Sequence, residues 1–287
     1  MTRNDVLLLG GAGFIGAALA ARLKQVNKPV HVLGRQQEAQ LEQILPRCGT
    51  VVHLACSTTP GASATNPGME LANLTFTLRL LDLLKSQPET HLIFFSSGGT
   101  VYGNPRMLPA TEDSSLTPLS NYGASKASQE AFCNALRAAG HFITIIRPSN
   151  AYGPGQTMKS GFGLVRTMLE HARAGTPLEI WGDGENIRDF IYIDDIVDAT
   201  VGLIDLPKDS GTYNLGSGVG LSINQVRGIV EAQCGRSLHT IFWPGRYGDV
   251  RSVVLDSSRL QKKLDWQPTV ELAIGIARTW AWLNTHG

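Results

Sequence analysis

Residues Val6 to Arg22 read VLLLGGAGFIGAALAAR, and this stretch constrains the fold more than any other part of the chain. Val6 to Leu9 is a short apolar run of the kind that forms a strand buried on both faces, and it passes at once into Gly10, Gly11, Gly13 and Gly16. Glycines at that spacing, between a strand and an Ala-rich helix, let the chain turn tightly, bring its backbone close to a pyrophosphate and seat the helix on the strand. The helix start then offers free N–H groups and the positive end of its dipole to phosphate. Phe14 and Ile15, in the first turn, join Gly10, Gly13 and Gly16 as candidate cofactor contacts. A signal peptide is the weaker reading of these residues, because a glycine-dense centre is a poor apolar helix.

A chain of 287 residues can bury a large core and suits one compact unit or two lobes around a shared cleft. Its net charge is +1 and no block of Lys or Arg occurs, so nucleic-acid or membrane-surface binding has no electrostatic footprint. Cys48, Cys56, Cys133 and Cys234 are widely spaced and make no C-x-x-C pair. They speak against a disulfide framework or a metal site and suit a reducing cytoplasm. No run after the first is apolar enough to cross a membrane.

Pro29 to Leu33 reads as a second strand, ending where the adenosine ribose of a bound dinucleotide would lie. Gly34-Arg35 stands there in place of the carboxylate that takes the ribose hydroxyls in an NAD site. Arg35 suits a 2′-phosphate, and so NADP, or else is a solvated residue stacking on adenine. Gln36 to Leu45 reads as one short helix and Val51 to Ala55 as the next strand, with Leu54 and Ala55 at its cofactor end. The interval has no room for another strand, so the parallel sheet is expected to carry one strand fewer than the usual dinucleotide fold. Residues 57–68 read as a polar loop and Met69 to Lys85 as a helix with Asn73 on its first turns.

His91 to Ser97 is a further buried strand, and Gly98-Gly99-Thr100-Val101-Tyr102-Gly103 follows it. Small and hydroxyl residues at the carboxyl end of a parallel strand lie where open α/β sheets bind ligands. Tyr122 and Lys126, in YGASK, share one face of a helix at i and i+4. A phenol ordinarily ionises near 10, and a neighbouring ammonium favours the phenolate, so the pair suggests acid–base chemistry. After the strand Phe142 to Arg147 the composition changes: helix from Phe162 to Ala174, strand Leu178 to Trp181, strand Asp189 to Ile193, helix Asp194 to Leu206. Thr212 to Leu215 reads as an extension of the sheet, and Ser222 as the cap of a helix running to Cys234.

With these pieces in order the chain resembles the extended short-chain dehydrogenase/reductase family, and within it the nucleotide-sugar 4-epimerases with their relatives the 4,6-dehydratases and 4-ketoreductases. The resemblance spans GGAGFIG, VVHLA, SSGGTVYG, YGASK, RPSNAYGPG, WGDGENIRDFIYIDD, YNLGSG and KKLDWQP, which is nearly the whole chain. It implies a Rossmann-type, doubly wound parallel α/β sheet over residues 1–152 and 187–217, with a smaller substrate lobe from 153–186 and 218–287. It implies Tyr122 as general base, Lys126 as its electrostatic partner and ribose contact, and Asn73 on the cofactor side. Tyr102, Asn150, Trp181, Arg188 and Arg246 are implied as substrate contacts. Asn150 would meet the sugar diphosphate, Trp181 the nucleotide base, and the two arginines the diphosphate. A homodimer through a four-helix contact that includes the Tyr122 helix follows from the same resemblance.

Departures from the family pattern shape the expected function. The Ser or Thr that relays a proton from the sugar 4-hydroxyl is replaced by Gly98, so Thr100 or Ser97 supplies the hydroxyl or the tyrosine acts alone. The adjacent Asp and Glu of a 4,6-dehydratase are absent, Gly99 and Thr100 standing there. The expectation is a UDP-hexose 4-epimerase with bound NAD(P). The alternative is an NADPH-dependent ketoreductase of a 4-keto-6-deoxy nucleotide sugar, with a non-catalytic dinucleotide sensor behind it.

Overall fold

β1 (Asp5–Leu9) sends Val6 and Leu8 to one face of a parallel sheet and Leu7 and Leu9 to the other. All four are buried, so each face needs a covering layer. The computed structural model describes residues 4–158, 163–206, 208–246 and 248–286, apart from the side chains of Arg35, Gln36 and Glu38.

α1 (Phe14–Gln25) returns the chain to β2 (Val30–Leu33). The helix expected over 36–45 is broken into a 3-10 segment, Arg35–Gln40, the four-residue α2 (Leu41–Ile44) and a second 3-10 turn at Leu45–Arg47. Leu41 and Leu45 are buried as anchors, and Pro46 favours the tight turn over a longer helix. β3 (Cys48–His53) starts earlier and ends earlier than expected, its pairing with β1 stopping at His53. α3 (Pro60–Thr65) lies inside the stretch read as loop. It forms because the Thr59 hydroxyl accepts the Ala62 N–H at 3.2 Å and Pro60 presets the first turn.

α4 (Glu70–Leu84), β4 (His91–Phe95), the single turn α5 (Gly98–Val101), α6 (Asn121–Ala138) and β5 (Ile143–Pro148) follow. The chain then leaves the sheet through β6 (Asn150–Tyr152), α7 (Leu164–Ala174), β7 (Leu178–Trp181), β8 (Ile187–Tyr192) and α8 (Ile193–Asp205), and returns in β9 (Thr212–Leu215). Phe162, expected at the start of α7, lies outside the described residues. The central sheet is six-stranded and parallel, in the order β2-β1-β3-β4-β5-β9. α1 and α8 pack together over its Val6 face, α4 and α6 over its Leu7 face.

β10 (Gly220–Ser222), α9 (Ile223–Cys234), β11 (Thr240–Trp243), β12 (Ser252–Val253), α10 (Ser258–Leu264) and α11 (Leu272–His286) complete the chain. Ser222 closes a capping box with Gln225 at the start of α9. β8 is the hub of a small sheet, antiparallel to β10 and parallel to β12 and β6, while β7 pairs with β11.

Candidate active site

The carboxyl ends of β1, β3, β4 and β5 open into a cleft of about 520 Å³, faced on its far side by Trp181 of β7, Arg188 and Phe190 of β8, and Arg246. A second cavity of about 260 Å³ shares Gly10, Gly13, Leu54 and Cys56 with it and continues past Ala55 to Leu33, Gly34 and Phe76. Together they make one path from the glycine loop to the far wall.

The glycine loop is shaped by close contacts that side chains would not permit. Gly10 has φ +82°, and a Cβ there would come within 2.7 Å of the Ala55 backbone. A Cβ on Gly16 would come within 2.5 Å of the Gly11 Cα, so α1 can enter directly above the loop. No side chain caps α1, whose first turn carries Phe14 and Ile15 into the cleft. These residues fit a dinucleotide: the open helix start takes its pyrophosphate, and the cradle is one that a Cβ would fill. Arg35 opens the 3-10 segment after β2, and its side chain lies outside the described residues.

Ser97, Thr100, Tyr122 and Lys126 converge on the cleft. Lys126 is 3% exposed, and its ammonium donates to the Phe95 carbonyl at 2.8 Å and lies 5.0 Å from the Phe94 ring centre. Burial pushes the Tyr122 phenol well above its ordinary value, and the nearby Cys56 and Glu70 push it further. The Thr100 hydroxyl donates to the Ser97 carbonyl at 3.3 Å, while Ser97 caps α5 through no side-chain hydrogen bond. Gly98 is closed to any side chain, because a Cβ would meet Leu255 Cδ1 at 2.5 Å and the Arg147 carbonyl oxygen at 2.8 Å.

On the far wall the Arg246 guanidinium stacks on the Trp181 ring, 3.6 Å from its centre. Arg188 donates to the neighbouring Ile187 carbonyl at 2.9 Å and, among the described residues, forms no salt bridge. Burial pulls its guanidinium below the ordinary value, and Asp249 pulls partly back. An unpaired, half-buried arginine in a cleft is a site prepared for an anion. Asn150 donates its amide to the Asp189 carbonyl at 2.8 Å. Asp189 itself is buried and accepts from Ser217, Gly218 and Leu255, which ties β8 to the loops around it.

Two expected contacts stand away from the cleft. Asn73 is 6% exposed and fully engaged, accepting from Ser57 at 2.7 Å and donating to Thr58 at 2.9 Å and Glu70 at 2.8 Å, so it holds the loop beneath the cofactor path. Tyr102 is fully buried; its hydroxyl donates to Asn214 at 2.6 Å and accepts from Arg147 at 2.8 Å. Arg147 in turn meets Glu130 of α6 at 2.6 Å, so Tyr102 belongs to a network beneath the site. Cys56, Thr58, Ser96, Ser149, Asn186 and Asp249 line the cleft without having been singled out from the sequence. Cys56, Ser96 and Ser149 follow strands of the parallel sheet closely, a location that by itself marks ligand contacts in such sheets.

The model of the NAD dependent epimerase/dehydratase family matches residues 6–216. A UDP-glucose 4-epimerase of Mycolicibacterium smegmatis is 32% identical over 301 residues, covering 95% of this chain and 96% of its own. A dTDP-4-dehydro-6-deoxyglucose reductase of Escherichia coli is 29% identical, with 96% of each chain covered. The crystal structure of UDP-glucose 4-epimerase with UDP-glucose from Thermotoga maritima superposes with a TM-score of 0.92 at 29% identity, over 98% of this chain and 99% of that one.

Proposed function

This chain belongs to the NAD-dependent epimerase/dehydratase family, and on that premise we propose that it is a nucleotide-sugar 4-epimerase acting on a UDP-hexose. The observation that carries the reading is a single cleft that joins the dinucleotide cradle, the Tyr122–Lys126 pair and the unpaired Arg188. A dinucleotide held by the glycine loop and the start of α1 would supply the chemistry of hydride removal from the sugar C4 and return to the opposite face. Tyr122 takes the proton of the 4-hydroxyl and gives it back, which is why its hydroxyl has to face the cleft. Lys126 lies deep on the same helix, one turn on, and adds the cationic field that favours the phenolate once the sugar is seated. Ser97 and Thr100 offer the second hydroxyl, Gly98 having none. Arg188 and Arg246 hold the diphosphate, with the Trp181 ring beside the base.

Incubation with UDP-glucose or UDP-galactose without added reductant tests the reading, with NMR used to follow the C4 epimer. Formation of the epimer supports it. If no epimer forms while a 4-keto-6-deoxy sugar nucleotide is reduced with stoichiometric loss of NADPH absorbance, a ketoreductase replaces it. That second reading has its own support in the Escherichia coli relative and in Gly34-Arg35, which stands after β2 where a carboxylate takes the ribose hydroxyls in an NAD site. The same dipeptide favours NADP if the enzyme is a reductase, and NAD follows if it is an epimerase.

Among the described residues no helix is long and apolar enough to cross a membrane, and all four cysteines are free thiols, which supports a cytoplasmic site of action. Leu71 and Leu78 of α4 and Phe132 of α6 are exposed on two helices that pack together. They support a homodimer joined through α4 and α6 of both copies.

A further inference from the structure

Gly98 and Gly99 are the first two residues of α5, yet packing accounts for only one of them. A Cβ on Gly98 would strike Leu255 at 2.5 Å and the Arg147 carbonyl oxygen at 2.8 Å, and Gly98 is not among the residues that line the cleft. Gly99 does line it, and its φ lies outside the left-handed region. The atoms nearest to a Cβ built there are those of the Asn150 amide, at 3.7 and 3.8 Å, which is ordinary contact. A glycine in a helical turn is less favourable than an alanine, because ordering it costs more backbone entropy. The fold thus has room for a side chain at 99 and a reason to carry one, and the space left open belongs to the cleft.

We propose that Gly99 is a specificity-determining position, whose missing side chain makes room for the exocyclic group on C5 of a hexose. The inference rests on the 4-epimerase reading, in which Tyr122 takes the 4-hydroxyl and the two arginines hold the diphosphate on C1. With C4 and C1 placed, a pyranose ring has two edges left. One carries the hydroxyls on C2 and C3; the other carries the ring oxygen and a single bulky substituent, the CH2OH on C5. The sheet order β3-β4-β5 gives the seat two flanks, one on each side of the end of β4. On the β3 flank Thr58 and Thr59 line the cleft, polar side chains that suit the C2 and C3 hydroxyls. On the β5 flank lie Gly99 and Asn150, a gap with an amide behind it, which suits one bulky group. The Asn150 amide donates to the Asp189 carbonyl at 2.8 Å, so the back wall of the gap is held in place before a ligand enters.

Gly99→Ala places one methyl group in the gap and is expected to keep the unfolding midpoint at or above the parent's. Calorimetric titration of the full chain, saturated with dinucleotide, then compares UDP-glucose, UDP-xylose, which is the same molecule without C6, and UDP. Gly99→Ala is expected to weaken UDP-glucose by about 10-fold or more, the scale on which a fitted pocket answers to one methylene, with UDP-xylose and UDP within about twofold of the parent. Gly99→Ser fills the same space and is expected to show the same selective loss. Equal weakening of UDP-glucose and UDP-xylose overturns the inference, as does unchanged binding of UDP-glucose. So does failure of both variants to fold, which would make the glycine a requirement of packing. A selective loss in a protein that forms no C4 epimer leaves the gap assigned to the C6 group and removes the 4-epimerase reading. Epimer formation by the parent, with no selective loss in either variant, does the reverse.

Discussion

On the sheet side of the cleft Lys126 is 3% exposed and its ammonium is bonded to a backbone carbonyl, whereas on the far side Arg246 is exposed and rests on an indole ring. The contrast extends to the neighbours. Beneath the sheet side, Arg147, Glu130, Tyr102 and Asn214 satisfy one another in a buried network, while Arg188 opposite donates to the carbonyl of the residue before it, lies in the field of Asp249 and forms no salt bridge among the described residues. Proton transfer needs donors and acceptors held in place before the substrate arrives, so that side is organised when the chain folds. On the proposed function, recognition of a charged nucleotide needs groups whose strongest partners arrive with the ligand, and the far wall offers Arg188 and Arg246 without a salt bridge among the described residues. Chemistry and recognition are therefore separable by mutation.

Tyr122→Phe should make the largest difference, lowering kcat by roughly 10³ to 10⁴-fold, the upper range for a positioned acid–base group. The ring and its packing survive, so calorimetric binding of dinucleotide and nucleotide sugar should stay close to the parent. An unchanged kcat would take the tyrosine out of the mechanism and erase the distinction between the two sides. Arg147→Ala should come next, in stability rather than chemistry. It leaves Glu130 buried at 1% side-chain exposure without its salt-bridge partner, and losing one member of such a pair costs about 3 to 5 kcal/mol. Denaturant unfolding measures this, and a loss below about 1 kcal/mol would mean that the network is not what braces α6.

Arg188→Ala sharpens the comparison from the other wall, weakening nucleotide-sugar binding by about 1.5 to 3 kcal/mol, the usual scale of a hydrogen bond to a charged group. Dinucleotide affinity and unfolding midpoint should hardly change; equal losses for both ligands would place the arginine elsewhere. The last effect concerns pH. Burial holds His53 and His91 neutral in the fold, down to about 3 and about 4, whereas in the unfolded chain both titrate near 6.5. The unfolded state thus binds more protons as pH falls below about 6.5. Each histidine should remove about 1.4 kcal/mol of stability per pH unit down toward its folded value. A flat stability between pH 7 and 5 in urea unfolding would show that these rings are not sealed in the sheet.

Much of this arrangement was legible before any coordinates. The limits of β7 and β9 and the Ser222 cap lie where turn residues and apolar runs put them, because each depends on neighbours within a few positions. The stretch 36–45 was less legible, since its breaks follow from where Leu41 and Leu45 find the core rather than from local propensity. Tyr102 sat in a motif that reads as a ligand contact, and nothing local announces that Arg147 and Asn214, 45 and 112 residues away, claim its hydroxyl. Cys56 was counted only as one of four scattered thiols, for the same reason.

Gly98 marks the boundary between the two kinds of knowledge. The amino-acid order alone determined that a strand, four glycines and a helix would follow one another in the arrangement that fits a dinucleotide, and that Tyr122 and Lys126 would share a helix face, because backbone conformation and helical period act over a few residues. The family resemblance added that Gly98 stands where a Ser or Thr is expected. Tertiary structure alone decided why: Leu255, brought in from the far end of the chain, and the Arg147 carbonyl on the adjacent strand occupy the space a side chain would need. Steric exclusion of that kind depends on which distant segments become neighbours. In the same way packing decided that Lys126 would bind a carbonyl and that Arg188 would line the cleft with no salt bridge among the described residues.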